Sequence, residues 1–195
     1  METGTRTTIE ELFKKTDAVK DGHFRLSSGR HSHKYLQCAL VLQHPEYAEQ
    51  LGRLLAAHFE SAGVQTVIGP ALGGIIIAHE TARALGGRVI FAEREKDAMT
   101  LRRGFDLSKG ERVLVVEDVL TTGGSVQEVL ALVQELEAVP VGVGVLVDRS
   151  GGACKLPVPV ASLTSVEVET YPPDDCPLCK LGIPMTSPGS RRKEQ

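Results

Sequence analysis

Four short runs of the chain are almost wholly apolar: "VQTVI" (64–68), "RVIFA" (88–92), "RVLVV" (112–116) and "VGVGVLV" (141–147). They are too short for helices and carry few polar interruptions, so they read as strands buried on both faces. Between them apolar positions recur at helical spacing. Tyr47, Leu51, Leu54, Leu55, Phe59 and Ala62 form one stripe, opened by Pro45 and closed by Gly63. Ile75–Leu85, stopped by Gly86-Gly87, and Ser125–Ala138 form two more. Thr8 and Glu11 have the spacing of a capping box for a short helix, Ile9–Lys15. Strands alternating with helices predict an α/β fold: a central, mostly parallel sheet flanked by helices. The segment 93–106 is too polar to be core. "SLTSVEVETY" (162–171) alternates like an edge strand, residues 186–195 read as a frayed tail, and no internal repeat is visible.

The 195 residues suit one domain, 1–195. A net charge of −3, no Trp and only 4% aromatic residues argue against a nucleic-acid surface or a base-stacking platform. No apolar tract is long enough for a bilayer, and "METGTRTTIEELFKK" is unlike a signal or transit peptide, so the expectation is a cytoplasmic protein without membrane partners. Cys38, Cys154, Cys176 and Cys179 are too scattered for a disulfide framework. Cys176-Pro-Leu-Cys179 has metal-ligand spacing, but a structural zinc needs four ligands, and only Cys154 offers itself as a third. The expectation is a rigid turn without metal. His23, His31, His33, His44, His58 and His79 show no ligand pairing along a helix.

The chemistry concentrates in "VLVVEDVLTTGGS", Val113–Ser125. Ligands of open α/β sheets bind beyond the carboxyl ends of the strands. Here two acids, Glu117 and Asp118, stand at that end of the 112–116 strand. The turn that follows, from Thr121 and Thr122 through Gly123 and Gly124 to Ser125, opens a helix. Free N–H groups and the helix dipole suit such a turn to a phosphate. Two carboxylates beside a phosphate make sense if the ligand also brings hydroxyls and a metal, as a ribose 5-phosphate does. A P-loop would need a Lys, and a dinucleotide site would need Gly-x-Gly-x-x-Gly; both are missing from this turn.

This stretch resembles the phosphoribosyl-diphosphate (PRPP) motif of the type I phosphoribosyltransferases, with Glu117 in place of the commoner Asp. Three further stretches are similar to the orotate-using branch: "FRLSSGRHSHKYLQ" (24–37), "VIGPALGGIIIA" (67–78) and "VLVDRSGG" (145–152). The resemblance spans residues 5–170. It implies that branch's fold, with a small hood from about 1–40 and 151–180 and a mobile loop at 93–106. It also implies transfer of ribose 5-phosphate from PRPP to orotate, with Mg²⁺ brought by PRPP and no protein ligand assigned to it.

By the same resemblance Glu117, Asp118 and Lys96 are catalytic. Glu117, Asp118, Val119, Leu120, Thr121, Thr122, Gly123, Gly124, Ser125, Arg94, Lys96, Leu72 and Gly73 bind PRPP; Thr121, Arg149, Tyr35 and Leu36 bind orotate. Arg149, 28 residues after Thr121, supplies a donor fork suited to a carboxylate. Arg102 and Arg103 are alternatives to Arg94 and Lys96 for the pyrophosphate. The loop is expected to reach the neighbouring subunit's site in a homodimer.

Two family lysines are replaced, by Ser27 and by Gly73; Lys34 or the 102/103 pair could carry that charge. A purine phosphoribosyltransferase is the first rival, but a purine gives Arg149 no carboxylate to hold. A PRPP-sensing regulator is the second, but it would need a DNA-binding module, and the sequence offers none outside 5–170.

Overall fold

The computed structural model describes residues 2–26, 28–96 and 98–188, with side chains from residue 9 onward. Ser27, Asp97 and 189–195 lie outside the described residues, and with them one replaced family lysine and most of the expected tail. The order of elements is α1 (Glu2–Lys15), β1 (Val19–Arg25), β2 (His31–Leu36), α2 (Ala39–Leu42), α3 (Pro45–Ala56), β3 (Thr66–Pro70), α4 (Gly74–Leu85), β4 (Arg88–Glu95), β5 (Ala98–Leu101), β6 (Arg112–Leu120), α5 (Gly124–Glu135), β7 (Val139–Asp148), β8 (Val160–Ser165), β9 (Thr170–Tyr171) and α6 (Pro177–Lys180).

Six strands form the main sheet in the order β5-β4-β3-β6-β7-β8. All pair in parallel except β5, which runs antiparallel to β4. The apolar runs become its centre: Val67, Ile68, Leu114, Val115, Val143 and Leu146 are fully buried. Alternation along β6 divides the core. Leu114 and Val116 pack with α1, α3 and α4, whereas Val113 and Val115 pack with α5. Strand order reverses between β3 and β6, so the crevice between the loops that follow these two strands is the topological switch point.

A second, antiparallel sheet of order β1-β2-β9 stands apart from the first. The alternating segment 162–171 therefore supplies two strands to two sheets rather than one edge strand. Helix α1 begins at Glu2, upstream of the expected Thr8 cap, and its Ile9, Leu12 and Phe13 belong to the main core. The stripe from Pro45 is α3 followed by a 3₁₀ segment, Ala57–Ala62, with Gly63 left-handed. The tail is anchored further than expected: the Thr186 N–H donates to the His23 carbonyl at 2.9 Å, and Arg25 N–H donates to Thr186 O at 2.9 Å.

The segment 93–106 corrects an expectation. It is not too polar to join the core, because β4 and β5 extend the main sheet as a hairpin. Met99 is buried, and Leu101 and Phe105 pack on the α5 side of the core. The charges pair along the surface, Arg103 with Glu93 at 2.8 Å and Arg94 with Glu128 at 2.7 Å.

Candidate active site

Strand β6 runs to Leu120, so Glu117 and Asp118 lie within it rather than past its end. Both side chains turn toward the start of α4. A Cβ at Gly73 would stand 2.8 Å from Asp118 Oδ1, and one at Gly74 would stand 3.3 Å from Glu117 Oε1. The carboxylates also fold back on their own strand: Asp118 N–H donates to Glu117 Oε1 at 3.2 Å and Val119 N–H to Asp118 Oδ1 at 2.9 Å. Burial, and then the neighbouring Asp118 charge, hold the Glu117 carboxyl well above the usual range. The pair therefore repels itself, and a ligand bringing hydroxyls or a cation would relieve it.

The turn Thr121–Ser125 follows directly. Gly123 is left-handed (φ 79°), and a Cβ there would stand 2.3 Å from Cys154 Sγ, so only glycine fits. No side chain caps α5, which leaves its first N–H groups facing the crevice beside exposed Thr121 and Thr122. Val119 and Leu120 contribute differently from expectation. Leu120 is buried core and Val119 packs on core; what Leu120 offers is its carbonyl, which accepts from Arg149 N–H at 2.8 Å. That bond ties the loop after β7 to the end of β6. Leu72 and Gly73 lie on the loop opposite, exposed, with Ala71 N–H donating to Ala92 O at 2.8 Å.

Arg149 leaves β7 half-buried, and its Nε is buried without a hydrogen-bond partner. Burial works against its charge and pulls its pKa below the usual value. Tyr35 faces the same space: burial raises its pKa, and the Arg149 charge opposes that rise. Its ring lies 5.5 Å from that of Phe24. Leu36 is a correction, since it is buried in the main core and its side chain does not line the crevice. Sequence reading missed Cys38, whose Sγ lies 4.0 Å from the Asp118 carbonyl; burial and the two acids raise its thiol strongly, so it is an inert wall.

Arg94 and Lys96 are not gathered with the acids. Arg94 is held by Glu128 on α5, and Lys96 stands exposed at the hairpin tip. That tip does rise from the carboxyl edge of the sheet. Pro70 pairs with Ala92, so Lys96, four residues on, stands about 13 Å beyond the end of β3.

Paired acids, an uncapped helix start and a buried, unpartnered Arg149 Nε stand at the carboxyl end of a mostly parallel sheet, the arrangement of an α/β enzyme. The chain belongs to the phosphoribosyl transferase family: the family's domain model matches residues 39–169. It is 60% identical over 188 residues to the orotate phosphoribosyltransferase of Pelotomaculum thermopropionicum, covering 96% of this chain and 99% of that one. It is 58% identical over 187 residues to that of Desulforamulus reducens, covering 96% and 98%. Among solved structures, orotate phosphoribosyltransferase from Aeropyrum pernix superposes with a TM-score of 0.70 at 29% identity, covering 89% of this chain and 98% of that one.

Proposed function

We infer that this chain is an orotate phosphoribosyltransferase, transferring ribose 5-phosphate from PRPP to orotate and releasing pyrophosphate, in pyrimidine synthesis. The observation that carries the substrate choice is the buried, unpartnered Arg149 Nε beside the paired acids and the phosphate turn. A buried donor left without an acceptor is costly, and orotate's carboxylate supplies an acceptor of matching charge. A purine would leave it unpaired.

In this reading the α5 N-terminus and Thr121–Ser125 hold the 5-phosphate, and Glu117 and Asp118 take the ribose hydroxyls. The ribose becomes cationic as the pyrophosphate departs, and the acids offset that charge. The Leu72–Gly73 loop receives the pyrophosphate through backbone groups. Gly73, packed against Asp118, has no room for the family lysine in this backbone.

Magnesium fits the donor set. Glu117 and Asp118 are hard oxygen donors that repel one another, a donor set that would suit a small divalent cation. Bound with PRPP, Mg²⁺ would neutralise charge on the leaving group.

The β1-β2-β9 sheet serves as the hood, and Lys96 and Arg102, carried on the β4–β5 hairpin, complete a neighbouring subunit's site in a homodimer. No helix among the described residues is long and apolar enough to cross a membrane; the proposed location is the cytoplasm. The test is pyrophosphate release from PRPP with each free base in turn. Orotate should be the substrate; turnover with adenine or hypoxanthine in its place would defeat the reading.

A further inference from the structure

Far from the paired acids, four ligand-bearing side chains meet in the small sheet. His23 comes from β1, His31 from β2, Cys176 immediately precedes α6 and Cys179 lies within it. One nitrogen or sulfur from each lies within 4.8 Å of all the others. We propose that His23, His31, Cys176 and Cys179 form a mononuclear tetrahedral zinc site that fastens the C-terminal segment to the β1–β2 hairpin.

The distances are those of donors around one ion. His23 Nε2 and His31 Nδ1 are 3.1 Å apart. Cys176 Sγ is 3.7 Å and Cys179 Sγ 3.8 Å from His23 Nε2, and Cys179 Sγ is 3.3 Å from His31 Nδ1. Tetrahedral zinc, with bonds of about 2.3 Å to sulfur and about 2.0 Å to nitrogen, sets nitrogen–nitrogen edges near ~3.3 Å and sulfur–nitrogen edges near ~3.5 Å.

Hydrogen bonding among the four does not account for the cluster. His23 Nδ1 lies 2.8 Å from the Ile183 carbonyl, which can only accept, so Nδ1 carries the proton and Nε2 turns a single lone pair inward. Three neighbours, one nitrogen and two sulfurs, converge on that lone pair. A cation at their centre uses all four donors at once. The His23–carbonyl bond is also the outer-sphere support that zinc-bound histidines ordinarily have.

Burial points the same way. His23 is 3% exposed, His31 6% and Cys176 1%. Two imidazoles in the middle of a three-stranded sheet are a poor apolar core, and a small unit of this kind gains its stability from a metal staple. Two thiolates and two neutral imidazoles would make the site electrically neutral with Zn²⁺. Soft thiolates mixed with imidazoles select zinc over magnesium or calcium.

The sequence offered only Cys154 as a further ligand for the Cys176/Cys179 pair; the structure gathers His23 and His31 there. Cys154 sits instead against Gly123, and the missing ligands are histidines some 150 positions away in sequence. The staple bears on the active site as well, since β2 carries both His31 and Tyr35.

The test uses the full chain purified without a metal-affinity tag or chelator. Elemental analysis should give about one zinc per chain. Stripping the metal with a chelator and adding Co²⁺ should produce the visible bands of tetrahedral cobalt and a thiolate-to-cobalt charge-transfer band. Cys179→Ser, at the exposed corner, should fold, lose the intensity of that band and weaken zinc binding beyond the roughly 10–100-fold typical of removing an outer-sphere partner. Cys154→Ser should keep both metal and spectrum. Substoichiometric metal together with no cobalt spectrum, an unchanged spectrum in Cys179→Ser, or a Cys176–Cys179 disulfide in the freshly purified protein would each overturn the proposal.

Discussion

Gly73 and Asp118 are packed so closely that a single methyl group cannot be placed between them: a Cβ at residue 73 would stand 2.8–2.9 Å from all three atoms of the Asp118 carboxylate. The Leu72–Gly73 loop and strand β6 are therefore one steric unit across the switch point. Gly73→Ala should displace the carboxylate while leaving the hydrophobic core untouched. Misplacement of a catalytic group by about 1 Å costs up to ~10²-fold, so the expected result is turnover reduced by about 10-fold or more with a nearly unchanged melting temperature. Wild-type turnover in this variant would show that Asp118 has room to move without consequence.

Asp118→Asn keeps the shape and removes the charge. With its partner Glu117 and the phosphate turn intact, PRPP should still bind, and turnover should fall by about 10²–10³, the range for an electrostatic interaction made in the transition state. Steady-state kinetics with a calorimetric PRPP titration separate the two effects. An equal loss of binding and rate would make Asp118 a ground-state partner only.

Glu117 carries a cost in stability. Its folded-state pKa lies above the unfolded value, through burial and Asp118, so the native chain binds that proton more tightly than the unfolded one. Stability from this group is greatest at acid pH and is lost as pH rises from the unfolded carboxylate range through the folded pKa. Glu117→Gln removes that loss. Its melting temperature should exceed the wild type's by a margin that widens as pH rises above the unfolded carboxylate range, at roughly 2–4 °C per kcal/mol for a chain of this size. A margin that shrinks with rising pH would contradict the assignment.

The hairpin gives a test of assembly. Arg103 is committed to Glu93 and stacks on Phe91, with its guanidinium carbon 5.6 Å from the ring centroid, so Lys96 and Arg102 are the residues to remove. Lys96→Ala with Arg102→Ala in one chain, and Glu117→Gln with Asp118→Asn in the other, should each give a nearly inactive homodimer. Co-refolded, they should regain activity if each hairpin serves its partner, because one site then has intact acids and an intact tip. No recovery would place the hairpin over its own subunit.

Much of this was legible in the sequence because it is local. The run Val113–Val116, the two acids and the hydroxyl-rich turn occupy adjacent positions, and the structure keeps them on one strand and one helix start. What was not legible is what folding brings together from afar. His23 and His31 look like scattered histidines until a hairpin with a bulge between Asp21 and Phe24 places them beside residues 176 and 179. The 93–106 block looks solvated in sequence because its charges outnumber Met99, Leu101 and Phe105; in a hairpin those three share a face and the charges pair elsewhere. Leu36 is adjacent to Tyr35 in sequence, and only the strand geometry sends the two side chains to opposite faces of β2.

The central claim is that Arg149 reads a carboxylate, and the most direct measurement compares orotate with uracil, the same ring without that group, in wild type and in Arg149→Ala. Removing a charge-assisted bidentate pairing from a buried site costs on the order of 1.5–3 kcal/mol, about 10–10²-fold. The wild type should prefer orotate in kcat/KM by at least that factor, and Arg149→Ala should lose most of the preference through a raised orotate KM while PRPP affinity holds. Equal use of the two bases by the wild type, or an undiminished preference in Arg149→Ala, would contradict the account.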